Sequence, residues 1–273
     1  MTTNQRSTSY VDVSQQSLAR LVNLARRAGS SIIACEHTAC ETKPDGSPVT
    51  MADRMAQEII CAALNEWDQF IPIVAEESPL PDSAMRQMWR RYWLVDPLDG
   101  TKEYLAGRSD FTVNIALIKD GEPVMGVVGA PALNVMYWAG RGLGAWRQEG
   151  NEPATRLQVC PPAPEAGIRI VESRSHPSPQ MEDFLRRVRV VQRIQVGSSL
   201  KFCWLAEGRA DCYPRFGPTM AWDVAAGDCV FRNAAPGGKQ HQSPLSYNPM
   251  DFRQGPFVIG FAPQLIIDSM FPR

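Results

Sequence analysis

Histidine is scarce, with three in 273 residues, so a transition-metal centre built on imidazole has few ligands to draw on. Cysteine is present but unorganised. The seven (35, 40, 61, 160, 203, 212 and 229) are odd in number, scattered and without a CxxC pair. That argues for reduced thiols rather than a disulfide framework or a zinc site. Neither sign of charge dominates: 28 Lys and Arg against 29 Asp and Glu leave a formal net charge of −1. Such a balance lacks the electrostatic footprint of a nucleic-acid binder. No apolar run reaches membrane-spanning length, and residues 1–16 are polar with no apolar signal-peptide core. The expectation is a soluble, cytoplasmic protein. Its length allows one large domain or two closely packed ones with a real core.

What is there centres on Trp93-Leu94-Val95-Asp96-Pro97-Leu98-Asp99-Gly100-Thr101-Lys102-Glu103-Tyr104. The first three residues read as the end of a buried strand. Pro97 fixes its own φ and keeps Asp96 extended, Asp99-Gly100 is turn chemistry, and a helix can start at Thr101. The carboxylates of Asp96 and Asp99 and the carbonyl of Leu98 are oxygen donors suited to a hard cation such as Mg²⁺. The amides of Gly100 and Thr101 point at an anion. Two readings stand at this stage: a cation and phosphate site, or a turn Asp followed by an N-capping Asp.

Along the rest of the chain, Leu18, Leu21, Val22, Ala25, Ala28 and Ile32 mark an amphipathic helix over about 15–36. Its basic face is either solvated or a peripheral membrane contact. Lys43 and Asp45 fall on a loop. Thr50 and Asp53 form a T-x-x-D capping pattern for a helix with Met55, Ile59, Ala63 and Trp67 on one side. Asp53 is then a cap, or a carboxylate aimed at a metal or a water. Residues 71–75 form a short strand ending at Glu76-Glu77, a pair tolerated in an exposed loop or beside a divalent ion. A β-meander runs from Phe111 to Arg147 with a hairpin turn at Asp120-Gly121. The Pro-rich stretch 150–167 reads as a connection, and a strand, helix and strand in parallel α/β fashion follow. Gly197-Ser198-Ser199-Leu200-Lys201 opens another helix. It either caps that helix with a serine or holds an anion. Ala210 to Arg215 is a strand and turn, and Trp222-Asp223 begins the last long helix.

Lys43-x-Asp45-Gly46-Ser47-Pro48-Val49-Thr50-x-Ala52-Asp53, Ala75-Glu76-Glu77-Ser78, Asp96-Pro97-Leu98-Asp99-Gly100-Thr101 and Trp222-Asp223-x-Ala225-Ala226-Gly227 together resemble the successive motifs of the inositol monophosphatase superfamily. Within it, Lys102-Glu103, Gly197 to Cys203 and Tyr213 to Thr219 resemble the 3′(2′),5′-bisphosphate nucleotidase branch, with Met220-Ala221 standing where that branch often carries an acidic residue. The resemblance implies an α/β (α+β) fold, a layered αβαβα sandwich. Residues 1–150 would hold the antiparallel sheet and most metal ligands, and residues 151–273 would complete the metal and nucleotide site. It implies two or three Mg²⁺ ions on Glu76, Asp96, the Leu98 carbonyl, Asp99 and Asp223. The attacking water would be oriented by Thr101, whose hydroxyl Asp53 polarises. Gly100 and Thr101 would hold the phosphate, Lys201 and Arg215 the 5′-phosphate and ribose, and Ser198, Ser199 and His176 would lie near the adenosine. The implied substrate is the small molecule 3′-phosphoadenosine 5′-phosphate, or 3′-phosphoadenylyl sulfate, in sulfur metabolism. An inositol or sugar phosphate is the alternative, and a non-catalytic metal-binding protein a third reading. Oligomeric state is not legible.

Overall fold

The structure, a computed structural model, describes residues 11–35, 40–44, 46–163, 167–174 and 179–261. Helix α1 (Gln15–Ala34) begins where the Ser17 amide donates to the Ser14 hydroxyl, and it buries the expected stripe of Leu18, Leu21, Val22, Ala25, Ala28 and Ile32. A small antiparallel hairpin, β1 (Cys40–Thr42) and β2 (Pro48–Thr50), leads into α2 (Met51–Trp67). The buried face of α2 is Ala52, Asp53, Ala56, Ile60, Leu64 and Trp67. Of the expected face, Trp67 is buried, while Met55 is 39% exposed and Ile59 and Ala63 only flank the core, so the buried stripe runs one residue further on at Ala56, Ile60 and Leu64. Asp53, which turns inward to cap the helix, lies on that stripe with Ala56 three positions on.

Next come β3 (Ile73–Ala75), α3 (Ser83–Arg86), β4 (Arg91–Asp99), the single-turn α4 (Thr101–Leu105), and the meander β5 (Thr112–Lys119), β6 (Glu122–Ala130), β7 (Val135–Gly140) and β8 (Gly144–Glu149). Asp120 and Gly121 both have positive φ, 52° and 78°, as a two-residue hairpin turn of the primed kind demands. A further strand, β9 (Thr155–Leu157), lies inside the Pro-rich stretch read as a plain connection, and pairs with β8. The resulting seven-stranded sheet runs in the order β3-β4-β5-β6-β7-β8-β9, parallel only at β3–β4.

The remaining elements are β10 (Ile168–Glu172), α5 (Pro179–Arg187), β11 (Val190–Gln195), α6 (Leu200–Ala206), β12 (Cys212–Arg215), β13 (Thr219–Met220), α7 (Ala221–Asn233), β14 (Arg253–Gln254) and β15 (Phe257–Gly260). The strands β11-β10-β12-β15 form a second sheet, with β10 parallel to β11 and β12 as the strand-helix-strand pattern foresaw.

Three apolar clusters define the layers. One joins α1 and α2 to one face of the large sheet. The next packs α6 and α7 between the large sheet's other face and the small sheet. The last covers the small sheet's outer face with Met181, Phe184 and Val188 from α5 and the turn after it. Alternation makes this work: on β12 Cys212 faces α5 while Tyr213 faces α6. The order is helix, sheet, helix, sheet, helix, which is the sandwich expected. Its consequence for chemistry is that the ends of β3 and β4 and the start of α7 open on the same cleft.

Candidate active site

Strand β4 supplies the first acidic groups. Its pairing with β5 slips between Asp96 and Asp99, around Pro97, which has no N–H to give to the ladder. The Leu98 amide donates to Asp96 Oδ1 at 3.1 Å, and Asp96 is 1% exposed. Asp99 accepts from Asn114 Nδ2 on β5 at 3.4 Å. Gly100 then turns the chain at φ +94°, with the Phe111 Cα 3.3 Å from where a Cβ would stand. Only glycine suits both the backbone and the space.

Asp53 uses both oxygens, one of them for the expected cap. Oδ2 accepts from the Thr50 amide (2.7 Å) and hydroxyl (2.6 Å), capping α2. Oδ1 lies 3.2 Å from the Thr101 hydroxyl, which is also 3.2 Å from the Leu98 carbonyl. Asp53 itself is buried, while Thr101 lines the cleft, so Asp53 reaches the cleft through Thr101.

Glu76 stands at the end of β3, its amide bonded to the Val95 carbonyl (3.1 Å). Its carboxylate is held by Lys43 Nζ at 2.7 Å, and the same ammonium holds Glu77 at 2.6 Å. Asp223 occupies the first turn of α7, where its Oδ2 accepts from the Met220 amide (2.9 Å) and the Thr219 hydroxyl. As they stand, no three His, Cys, Asp or Glu side chains among the described residues converge tightly enough to grip an ion. They do share one field. Burial, then the charges of Glu76, Asp99 and Asp223, push the Asp96 carboxyl well above the usual range. Burial and Asp223 push Asp99 up to about 7 against the pull of Lys201. Burial raises Glu76 despite Lys43. Carboxylates in this condition favour a proton or a nearby cation. An all-oxygen donor set of this kind fits a hard divalent ion, and the unpartnered Asn114 Oδ1 and Thr112 Oγ1 lie on β5, the strand paired with Asp96 and Asp99.

The opposite wall is cationic. Lys201 is 4% exposed, donates to the Ser198 carbonyl (2.6 Å) and stands over the Tyr213 ring. Arg215 donates to the Tyr213 hydroxyl (3.2 Å) and the Pro218 carbonyl (3.0 Å). Both line the cleft, with Ser198, Ser47, Pro48 and Lys102. Ser198 sits at φ +49° with a buried, unpartnered hydroxyl. Neither serine's side chain caps α6. Ser199 is buried and off the cleft lining, and its hydroxyl donates to the Asp223 carbonyl. It braces α7 against α6. His176 and Asp45 lie outside the described residues.

A cleft lined by Glu76, Asp99 and Asp223 together with Lys201 and Arg215, with Asp96 buried behind its acidic side, suits a charged phosphate ester bridging a cation site and a basic wall. The sequence profile described as the inositol monophosphatase family matches residues 10–242 of this chain. The chain belongs to the inositol monophosphatase family. Among relatives in it, the 3′(2′),5′-bisphosphate nucleotidase CysQ of Escherichia coli strain K12 is 44% identical over 241 residues, covering 86% of this chain and 95% of that one. The CysQ of Aggregatibacter actinomycetemcomitans is 32% identical over 267 residues, covering 93% and 96%. Of solved structures, CysQ from Bacteroides thetaiotaomicron, a bacterial member of the family, matches with a TM-score of 0.74 at 35% identity, over 90% of this chain and 97% of that one. The Thermotoga maritima IMPase matches with a TM-score of 0.68 at 25% identity, over 86% and 93%.

Several residues of this family member's cleft escaped the sequence. Asn114 and Thr219 steady Asp99 and Asp223, and Lys43 reaches Glu76 from a hairpin loop. Lys43 and Thr219 stand inside recognised motifs. Asn114 sits mid-strand, where an apolar pattern broken by one amide was the only signal.

Proposed function

We propose that this chain is a metal-dependent phosphomonoesterase that converts 3′-phosphoadenosine 5′-phosphate to AMP and phosphate. The observation that carries the reading is one cleft lined by Glu76, Asp99 and Asp223 together with Lys201 and Arg215, with Asp96 buried beside the acidic groups. A monophosphate ester needs only the acidic side. A bisphosphate needs a second anion site some distance away, and the basic wall offers it. The CysQ name of the relatives supports the same substrate.

Glu76, Asp96, Asp99, Asp223 and the Leu98 carbonyl would hold two or three Mg²⁺ ions, which when bound supply Lewis-acid charge that activates water and neutralises the phosphate. The chain's own contribution follows from its hydrogen bonds. Thr101 Oγ1, giving its proton to Asp53 Oδ1, presents lone pairs to the cleft and accepts a hydrogen bond from the attacking water. Asp53 is fixed by its cap to α2, so the direction of that acceptor is preset. The Gly100 and Thr101 amides steady the phosphate. Lys201 and Arg215 set the distance between the two phosphates. Catalysis of this kind rests on positioning and charge neutralisation.

Phosphate release from 3′-phosphoadenosine 5′-phosphate and from inositol 1-phosphate, each with Mg²⁺ and with chelator, tests this. The expected result is Mg²⁺-dependent release with strong preference for the nucleotide. Preference for the inositol ester overturns the substrate, and release that survives chelation overturns the metal.

A further inference from the structure

Two glycine turns line the cleft from opposite halves of the chain, Gly100 after β4 and Gly197 after β11. Both close on one residue that sequence reasoning passed over. A Cβ at Gly197 would stand 2.5 Å from the Asp110 carbonyl oxygen, and one at Gly100 would stand 3.4 Å from the same oxygen. Asp110 is therefore wedged between the two turns. Its side chain completes the join: Oδ2 accepts from the Gly197 amide at 2.7 Å and from Arg174 Nη1 at 2.9 Å. The residue is 8% exposed, so this is a buried, charge-assisted bond. Glu103, on the turn of helix after Gly100, presses on Gly197 from the other side, its Cγ 3.1 Å from the same Cβ position.

The next residue makes the join matter. Ser198 holds a positive φ, which a serine adopts only when its surroundings impose it. Lys201 Nζ donates to the Ser198 carbonyl (2.6 Å) and reaches the Val196 carbonyl (3.5 Å). The place of the ammonium thus depends on where the turn is held. Freed from Asp110, the turn would relax and carry the cationic wall away from the acidic one.

We infer that Asp110 is a positioning residue that locks the Gly197–Ser198 turn, and through it Lys201, at a set distance from the Gly100–Thr101 phosphate loop. On the proposed function, on which this rests, that distance is the spacing between the substrate's two phosphates. Asp110 touches no reacting atom, so its loss weakens nucleotide binding and leaves the chemical step alone.

The test compares the parent, Asp110→Ala, Asp110→Asn and Arg174→Ala. Two readouts are taken: kcat and KM for 3′-phosphoadenosine 5′-phosphate, and amide hydrogen exchange of peptides spanning 195–203 and 98–105. Losing a hydrogen bond to a buried charged group predicts a KM rise of about tenfold for Asp110→Ala with kcat kept. Exchange should quicken in 195–203. Asp110→Asn keeps an acceptor for the Gly197 amide and should rise about threefold, and Arg174→Ala less than either. A merely structural role would cut the active fraction, lowering apparent kcat at constant KM, and that pattern overturns the inference. If Asp110→Ala does not fold, Asp110→Asn carries the test, and unchanged exchange and KM in it sink the idea. Should the parent itself not release phosphate from the nucleotide, the proposed function falls. The exchange experiment then still decides whether Asp110 locks the turn.

Discussion

At the scale of single residues, Asp53 joins a helix cap to the cleft, and on the proposed function one carboxylate serves both fold and chemistry. One oxygen caps α2 and the other receives the Thr101 hydroxyl, so the two functions separate by substitution. Thr101→Val removes the hydroxyl and keeps the shape. It should lower kcat by about 10²-fold, in the range of positioned proton acceptors, with little change in melting temperature. Asp53→Asn should lower kcat similarly and also cost about 0.5–2 kcal/mol of stability through the weakened cap. Because the two groups act in series, the double variant should lose little more kcat than either single one. A double-mutant cycle measures this, and additive losses would separate Asp53 from Thr101. Both residues were legible as candidates, since T-x-x-D and D-x-x-D-G-T are local patterns. The pairing of Asp53 with Thr101, 48 positions away, came from the family resemblance alone, because no local pattern joins residues so far apart in sequence. The bond from Ser199 to the Asp223 carbonyl was likewise outside local pattern, since a serine at the start of a helix reads as a cap or a ligand and its partner lies on another helix.

At the scale of elements, α7 carries the argument. It lies between the two sheets and its first turn presents Asp223. Its run of Ala225, Ala226 and Gly227, legible only as a motif, has a packing cause. A Cβ on Gly227 would fall 2.7 Å from Phe202 Cβ on α6, and Gly126 on β6 makes an equally close approach to Cys229, at 2.8 Å. Neither neighbour is a flexible chain end, so backbone must move. Gly227→Ala should therefore destabilise by about 1–3 kcal/mol, a fall of several degrees in a calorimetric melt. It should also reduce kcat/KM by shifting the element that places Asp223. A variant as stable as the parent would show that α6 and α7 have room to spare. Helices with long apolar stripes were readable from periodicity, and the hairpin at Asp120-Gly121 from its turn residues. Strand β9 was not, because three residues in a Pro-rich stretch carry no period, and only pairing with β8 makes them a strand.

At the scale of the whole molecule, the near-zero net charge hides an uneven distribution. The fold gathers carboxylates from the end of β3, from β4 and from α7 into one field, Asp96 buried and the others half-buried at the cleft, and composition says nothing of that. Asp96 and Asp99 bear its effect, the first pushed up by burial and the charges of Glu76 and Asp99, the second by burial and the charge of Asp223. On the proposed ion site, such a set lowers the stability of the ion-free protein in exchange for affinity, a common trade at active sites. Two opposite consequences follow for Asp99→Asn at pH 8, where the parent's Asp99, at about 7, is mostly ionised. In chelator, removing one buried like charge should raise the melting temperature above the parent's. In saturating Mg²⁺ the order should reverse, because the parent gains about 2.7 kcal/mol at one hundred times its dissociation constant and the variant, short of a ligand, gains far less. For a chain of this size that gain is on the order of 5 °C. Thermal melts of both proteins with Mg²⁺ and with chelator decide it without any assay of turnover. A variant less stable than the parent in chelator, yet equally stabilised by Mg²⁺, would remove Asp99 from the ion site and return it to the ordinary work of a turn.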